Sequence, residues 1–180
     1  MDPITYSLCH KPVIGLLMFV ASACGFPPLF QDAPFPLQQA QARMVRDFDA
    51  PVGASYALNL NFDFPSAAAI LADEVAGSRH DGSCGRDYAD ISPAQREGLG
   101  RPIPVHVLVR DRQSGGVVLD RVFQTLCITS QGGPGFSKTR TAARIALAAG
   151  KYTMEVRSLQ DQAGLDGVKT TVSLVPGGRK

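Results

Sequence analysis

Residues 56–64, with the sequence YALNLNFDF, constrain the fold more than any other stretch of the chain. Every second residue is a large apolar side chain, and Ala, Asn, Asn and Asp stand between them. Strict alternation is the period of a strand that has one face on a core and the other in solvent. The segment therefore predicts a half-buried strand, since apolar residues of a helix recur three and four positions apart.

Several other segments have the composition of strands. Apolar residues alternate over residues 103–110, a turn at 113–116 leads into 117–123, and two further apolar segments follow at 151–159 and 168–175. The alanine-rich residues 141–149 have high helix propensity, but a sandwich topology favours a strand there. Repeated short strands predict a mainly β fold.

Two short helices are expected in the connections between these strands. Ser66 is suited to cap a helix over residues 67–75, and Ser92 followed by Pro93 is typical of a helix start. The predicted architecture is thus an immunoglobulin-like antiparallel β-sandwich with one or two short helices in connections.

Gly150 and Tyr152 favour the immunoglobulin-like form of the sandwich. A glycine two residues before a strand-opening tyrosine is similar to the tyrosine corner, in which the phenol oxygen bonds back to the preceding backbone. The predicted role of Gly150 and Tyr152 is therefore structural. The competing interpretation is an ordinary strand tyrosine after a glycine turn.

Residues 12–24, PVIGLLMFVASAC, predict export. The apolar run is shorter than the roughly 20 residues that a membrane-spanning helix needs, and it ends in small residues, as export signals do. A buried core helix is the competing interpretation. Residues 20–24 resemble the lipobox of bacterial lipoproteins, which predicts lipidation at Cys24. Ala21-Ser22-Ala23 also suits ordinary signal peptidase, which would release a soluble product.

These features divide the chain into a signal peptide at residues 1–23, a lipid-anchor tether or linker at 24–50 and a β-sandwich domain at 51–180. The tether is assigned because its residues are rich in Pro and Gln. Gly25, which is not Asp, resembles the pattern of lipoproteins passed to the outer membrane. We expect an exported, periplasmic protein that is attached to the outer membrane, and contacts it only through a lipid anchor.

Cys84 and Cys127 are the two cysteines left in the predicted domain after Cys24. An oxidising compartment favours a disulfide between them. Closing this loop would stabilise the fold by about 4 kcal/mol in the chain-entropy description. Two separate thiols, too far apart to bridge, are the alternative.

Catalytic and metal motifs are weak. The sequence GGPGFSKT at 132–139 approaches a phosphate-binding loop, but Ser137 replaces the glycine that lets the backbone wrap a phosphate. His80, Asp81, Cys84 and His106 lack the paired spacing of zinc sites. A cysteine nucleophile would need a free thiolate in an oxidising compartment. We therefore predict no enzyme, no metal and no cofactor.

Charge argues against nucleic acid as a partner. The net charge is +2 at pH 7, whereas nucleic-acid binding needs a concentrated basic face. Acidic residues near residue 80 are interleaved with arginines, which favours a solvated surface over paired catalytic acids.

The predicted binding surface lies on the two longest polar connections, residues 78–90 and 130–140. Loops on a rigid scaffold commonly carry function, and Arg and Tyr are enriched in interfaces. The predicted partner-binding residues are Arg79, His80, Asp81, Arg86, Asp87, Tyr88, Phe136, Lys138 and Arg140.

The order of these features resembles a bacterial family of unknown function made of exported, lipoprotein-like sandwich domains. Residues 56–64, residues 102–105, and Leu147, Gly150 and Tyr152 carry the resemblance. It implies an immunoglobulin-like sandwich and a cell-envelope address, and it supplies no catalytic residue.

The expected function is a non-catalytic module that binds another envelope protein or a protein delivered to the periplasm, for example as an immunity or envelope accessory protein. A small-molecule or glycan-binding periplasmic module is the alternative, and an exported hydrolase is the third.

Overall fold

The computed structural model describes residues 27–39, 41–80, 88–132 and 135–177. Within these ranges nine strands form two antiparallel sheets. Sheet A has the order β1-β9-β3-β7-β6, with β1 Phe30–Pro34, β9 Lys169–Pro176, β3 Ala54–Phe64, β7 Phe136–Leu147 and β6 Ser130–Gln131. Sheet B has the order β2-β8-β4-β5, with β2 Arg43–Ala50, β8 Gly150–Ser158, β4 Ile103–Asp111 and β5 Val117–Thr125.

The predicted mainly β, two-sheet antiparallel sandwich is confirmed. The predicted immunoglobulin-like topology is not confirmed, because the order of the strands in the two sheets differs from it. In an immunoglobulin sandwich the last strand, G, lies in the same sheet as strands C and F, which correspond to β4 and β8 here. Here β9 instead lies between β1 and β3 in sheet A, and β2 takes the place beside β8. Apart from β6, this is the arrangement of a double-sheet jelly roll.

The core lies between the two sheets and is filled by the alternating residues of β3 and β4. Tyr56 and Leu60 on β3 are at most 2 % exposed, and Val105 and Val107 on β4 are fully buried. The alternation in β3 thus puts its apolar phase inward, while Asn59, Asn61 and Asp63 face outward.

The first two strands correct the predicted domain boundary. β2 pairs along its whole length with β8, and β1 pairs with β9. Phe35, Leu37 and Phe48, which follow or lie within these strands, are buried in the core. The sandwich therefore begins at Phe30, and residues 30–50 are not a tether. The predicted signal peptide and Cys24 lie outside the described residues.

The helical elements are short. α1, Ala67–Leu71, is capped by Ser66, whose Oγ accepts a hydrogen bond from the backbone N–H of Ala69 at 3.1 Å. Two 3-10 helices follow, Tyr88–Asp90 and Pro93–Gln95. In the described ranges, no helix has the length and apolar character needed to cross a membrane.

Two tyrosines tie turns to the ends of strands. The Tyr152 hydroxyl donates to the carbonyl of Ala148 at 3.1 Å, and a Cβ at Gly150 would lie 3.1 Å from that same hydroxyl. Gly150 therefore leaves room for the ring. The Tyr56 hydroxyl makes an equivalent bond to the carbonyl of Val52, four residues earlier, at 3.0 Å. Each bond satisfies a carbonyl in the turn that precedes its strand.

Candidate functional site

The predicted partner-binding residues Lys138 and Arg140 face the interior of the protein. They lie in β7, where they are opposite Phe62 and Leu60, two core residues of β3. Lys138 is 2 % exposed and Arg140 is fully buried. Both residues are therefore unavailable to a partner, which corrects the prediction. Residues 136–140, predicted to be part of a polar connection, belong to strand β7, and alternation along β7 turns every second side chain inward.

Arg140 holds residues 75–76 and 101, in the connection between β3 and β4, against the sandwich. Its Nε donates to the carbonyl of Ala76 at 2.9 Å, and its Nη1 donates to the carbonyls of Arg101 at 2.8 Å and Thr125 at 3.0 Å. Nη2 donates to the carbonyl of Val75. Burial lowers the pKa of Arg140 to about 10, with the nearby charge of Asp73 opposing the shift. Arg140 therefore stays protonated at neutral pH.

Lys138 pairs with Asp73 at the same place. Lys138 Nζ lies 2.8 Å from Asp73 Oδ2. Asp73 Oδ1 accepts from the N–H groups of Val75 and Ala76 at 3.0 Å, and Oδ2 accepts from Gly77 N–H at 3.1 Å. One carboxylate thus organises the turn at 73–77 and neutralises a buried lysine. A buried charge needs such partners to offset its desolvation.

Above this buried cluster lies a surface groove of about 330 Å³, which we call the loop groove. Its wall includes Glu74, Ser78, Tyr88, Leu99 and Arg101. Beneath it Tyr88 and Leu99 pack on a small apolar cluster formed by Ile91, Leu126 and Cys127.

The remaining predicted patch residues lie around the loop groove or outside the described residues. Arg79 is half-buried, and its Nη1 donates to the carbonyl of Gln95 at 2.9 Å. His80 is exposed and forms an isolated β-bridge with Ile128, which brings residues 78–80 beside residues 126–131. Phe136 is 46 % exposed. Asp81, Arg86 and Asp87 lie outside the described residues, and so does Cys84.

Strand β5 is a surface that the sequence reasoning missed. It forms one edge of sheet B and pairs with β4 alone among the described strands. Val117, Val118 and Val122 are 53 %, 46 % and 49 % exposed. The available signal was the sequence VVLDRVF, in which apolar residues occupy both phases of the strand, so that some of them must face solvent at an edge.

Two residue groups considered for catalysis or phosphate binding, His106 and the segment ending in Lys138 and Thr139, take part in the sheets. His106 Nε2 lies 2.6 Å from Asp120 Oδ1, across the β4–β5 pair. Lys138 and Thr139, the end of the near-match to a phosphate loop, are strand residues of β7. Within the described ranges, no three His, Cys, Asp or Glu residues are grouped as metal ligands would be.

Comparison with known proteins gives a family and a fold. The family described as "Domain of unknown function (DUF5625)" matches residues 32–176. The crystal structure of GEBA250068378 from Sulfurospirillum deleyianum is similar, with a TM-score of 0.63 and 19 % identity over 82 % of this chain and 97 % of the other. At that identity the similarity supports the fold alone. A search of the curated proteins finds no match.

Proposed function

Because the chain belongs to the family described as "Domain of unknown function (DUF5625)", which brings no assigned activity, we propose its function from the surface: a non-catalytic protein-binding module of the bacterial cell envelope. The observation that carries the proposal is the edge of β5, which pairs with β4 alone among the described strands and exposes three valines next to the loop groove. The occupant is an extended segment of another protein, either a resident envelope protein or one delivered to the periplasm, as for an immunity protein.

An edge strand presents a row of backbone N–H and C=O groups without partners, which is a template for an added strand. Soluble proteins usually protect such edges with charged side chains. β2, the opposite edge of sheet B, has this protection: Arg43, Arg46, Asp47 and Asp49 are exposed along it. β5 exposes three valines beside two charged residues, Asp120 and Arg121, whereas β2 exposes one valine among four charged residues. β5 is therefore the more apolar of the two edges, which favours it as the binding edge.

The β5 edge continues into the loop groove, which gives a partner more surface than one strand can. The carbonyl of Thr125, the last residue of β5, accepts from Arg140. The next residue, Leu126, accepts from Gly100 N–H at 3.2 Å and packs on Leu99. Arg140 bonds both to Thr125 at the end of β5 and to residues 75, 76 and 101 beside the groove, so the edge and the described wall of the groove are held together by the same side chain.

The test uses a pair of matched lysine substitutions. Val122 on β5 is 49 % exposed and Val45 on β2 is 45 % exposed, so each tolerates lysine to a similar degree. With partners cross-linked in intact cells, V122K should lose the specific cross-linked protein, whereas V45K should retain it. Equal loss in both variants, or retention in V122K, would overturn β5 as the binding edge.

The envelope address is tested separately. If Cys24 carries the lipid, Cys24→Ala should abolish fatty-acid labelling and move the protein from the membrane fraction to the soluble fraction. Unchanged fractionation would remove the anchor from the proposal and leave the protein-binding role in place.

A further inference from the structure

The outer face of sheet A, opposite the core, carries a second concavity of about 310 Å³, which we call the polar groove. Every lining side chain except Val175 is polar. The lining includes Asp32 from β1, Asn59, Asn61 and Asp63 from β3, Thr139 from β7 and Ser173 from β9. The polar groove and the β5 edge belong to different sheets, so the protein-binding surface proposed above does not include it.

The row Asn59, Asn61 and Asp63 conflicts with the local preference of the strand that contains it. These three residues fill successive outward positions of β3, which has β9 on one side and β7 on the other. Asn and Asp are depleted in strands. Where a sequence departs from local preference inside an otherwise consistent element, the position is expected to serve function.

Hydrogen bonds across three strands hold the two amides in fixed orientations. Asn61 Nδ2 donates to Ser173 Oγ at 2.8 Å, and Thr139 Oγ1 donates to Asn61 Oδ1 at 3.3 Å. Thr141 Oγ1 donates to Asn59 Oδ1 at 2.9 Å. Because its oxygen is occupied, Asn59 directs its amide N–H groups away from Thr141. These N–H groups have no hydrogen-bond acceptor within the described part of the chain.

Two carboxylates stand in the same groove. The carboxylate of Asp63 makes no hydrogen bond or ion pair with any described residue, although Lys169 is the Cα partner of Asp63 on β9. Asp32 has a φ of +50° at the irregularity in β1, and its backbone N–H donates to Ser173 Oγ at 3.1 Å. At about 3.3 Å per residue, Asn59 and Asp63 lie roughly 13 Å apart along the strand. Asp32 Oδ1 accepts from Thr171 Oγ1 at 3.4 Å. Among the described residues, the amide N–H groups of Asn59 and the carboxylate of Asp63 are therefore left free in the groove.

This chemistry selects one class of ligand. The lining has carboxylates but no Lys or Arg, which disfavours phosphates and other anions, and it has no aromatic or large apolar surface for a hydrophobic ligand. Sugar hydroxyls donate to carboxylates and accept from amide N–H groups, which are the unpaired groups here. We propose that the polar groove binds a short neutral saccharide, with Asp63 and Asn59 as its direct contacts.

The test is calorimetric titration of the mature protein, purified from the envelope in detergent, with maltotriose, cellotriose and chitotriose. We expect at least one of them to bind in the millimolar range or tighter, and D63N and N59A each to weaken that binding by about tenfold. D49N on the outer face of sheet B is the matched control and should leave binding unchanged. Thermal unfolding of each variant checks that the fold is retained.

Spermidine, a polycation that carboxylates attract by charge, is titrated in parallel. Three outcomes would overturn the proposal: no heat from any of the three trisaccharides, trisaccharide binding that is equal in D63N and the unaltered protein, or binding of spermidine without binding of any trisaccharide. None of these outcomes affects the β5 cross-linking experiment, so a failure here is distinguishable from a failure of the protein-binding role.

Discussion

Lys138 Nζ lies 2.8 Å from Asp73 Oδ2, and both side chains are 1 % exposed. This ion pair joins β7 to the β3–β4 connection below the loop groove. Together with Arg140, which binds carbonyls of residues 75, 76 and 101, it fixes both described ends of the β3–β4 connection against β7. The basic residues that were predicted to contact a partner hold the surface in place from beneath.

Removing one charge of this pair should be costly. Lys138→Met leaves the carboxylate of Asp73 buried without its cation, and losing one member of a buried pair costs about 3–5 kcal/mol. Urea unfolding measures the loss. Lys151→Met, at an exposed position of β8, is the control and should change little. The double variant Asp73→Asn with Lys138→Met should recover part of the loss; if it is as unstable as the sum of the single variants, the two residues are not coupled.

Gly100 should be intolerant of a side chain. A Cβ there would overlap the guanidinium of Arg140 and the carbonyl of Val75. Gly100→Ala therefore has to displace Arg140 from its carbonyls, and we expect a loss of about 2–5 kcal/mol in the free energy of unfolding. Gly135→Ala, where a Cβ would meet nothing within 4 Å, is the matched control. Similar stability of the two variants would contradict the packing described for Arg140.

Glu155 should make stability depend on pH. Arg43 contacts both of its carboxylate oxygens, at 2.9 and 2.8 Å, and Arg157 contacts one at 2.8 Å. These hydrogen bonds lower the pKa of Glu155 from its ordinary 4.5, and the bond from Arg43 has the largest effect. The stabilisation is therefore fully present above the unfolded-state pKa of 4.5, and it is lost as the pH falls through the lower pKa that Glu155 has in the folded protein.

We expect Glu155→Gln to lower the melting temperature slightly at pH 7 and to have no effect at a pH well below the ordinary Glu pKa. Melting curves over this pH range provide the measurement. Glu97→Gln, at an exposed position with no ion pair among the described residues, is the control. A pH-independent effect at Glu155 would mean that the charge does not contribute.

The two strand-end tyrosines should contribute similar amounts. Tyr152→Phe and Tyr56→Phe each remove one hydroxyl that bonds a turn carbonyl, which costs about 0.5–1.5 kcal/mol. Chemical denaturation of both variants tests this. The hydroxyl of Tyr88 makes no hydrogen bond within the described ranges, so Tyr88→Phe should be near neutral. Loss in only one of the first two variants would show that the two turns are not equivalent.

The disulfide between Cys84 and Cys127 stays a prediction. Cys127 is 4 % exposed in the apolar cluster under the loop groove, and Cys84 lies outside the described residues. Non-reducing mass spectrometry of protein from the periplasm should find the two residues linked, and reduction should lower the melting temperature. Two alkylatable thiols in that material would contradict the bridge.

The local patterns explain which parts of the fold could be predicted. Alternation in β3 and β4 places the same residues in the core that the structure buries, because strand period is a property of consecutive residues. The residues 141–147 were expected as a strand against their alanine content, and they are a strand of β7. The tether was assigned from proline and glutamine, but its second half supplies β2, since pairing with β8 outweighs local composition.

The candidate surfaces could be predicted only in part. Tyr88, Arg79 and His80 lie at or beside the loop groove, as a polar connection suggested. Lys138 and Arg140 are also polar, yet their side chains point into the core. They do so because they lie directly opposite Phe62 and Leu60, whose side chains face the core. The β5 edge and the polar groove depend on which strands are neighbours.

By itself, the sequence determines that this protein is a β-sandwich whose strands β3 and β4 alternate between polar and apolar residues, and it predicts an export signal before that domain. Only the tertiary structure decides that β9 enters sheet A, that β5 is left at an edge and that two cations are buried. Alternation is read between neighbours in the chain, whereas sheet order and burial depend on contacts between residues far apart in it.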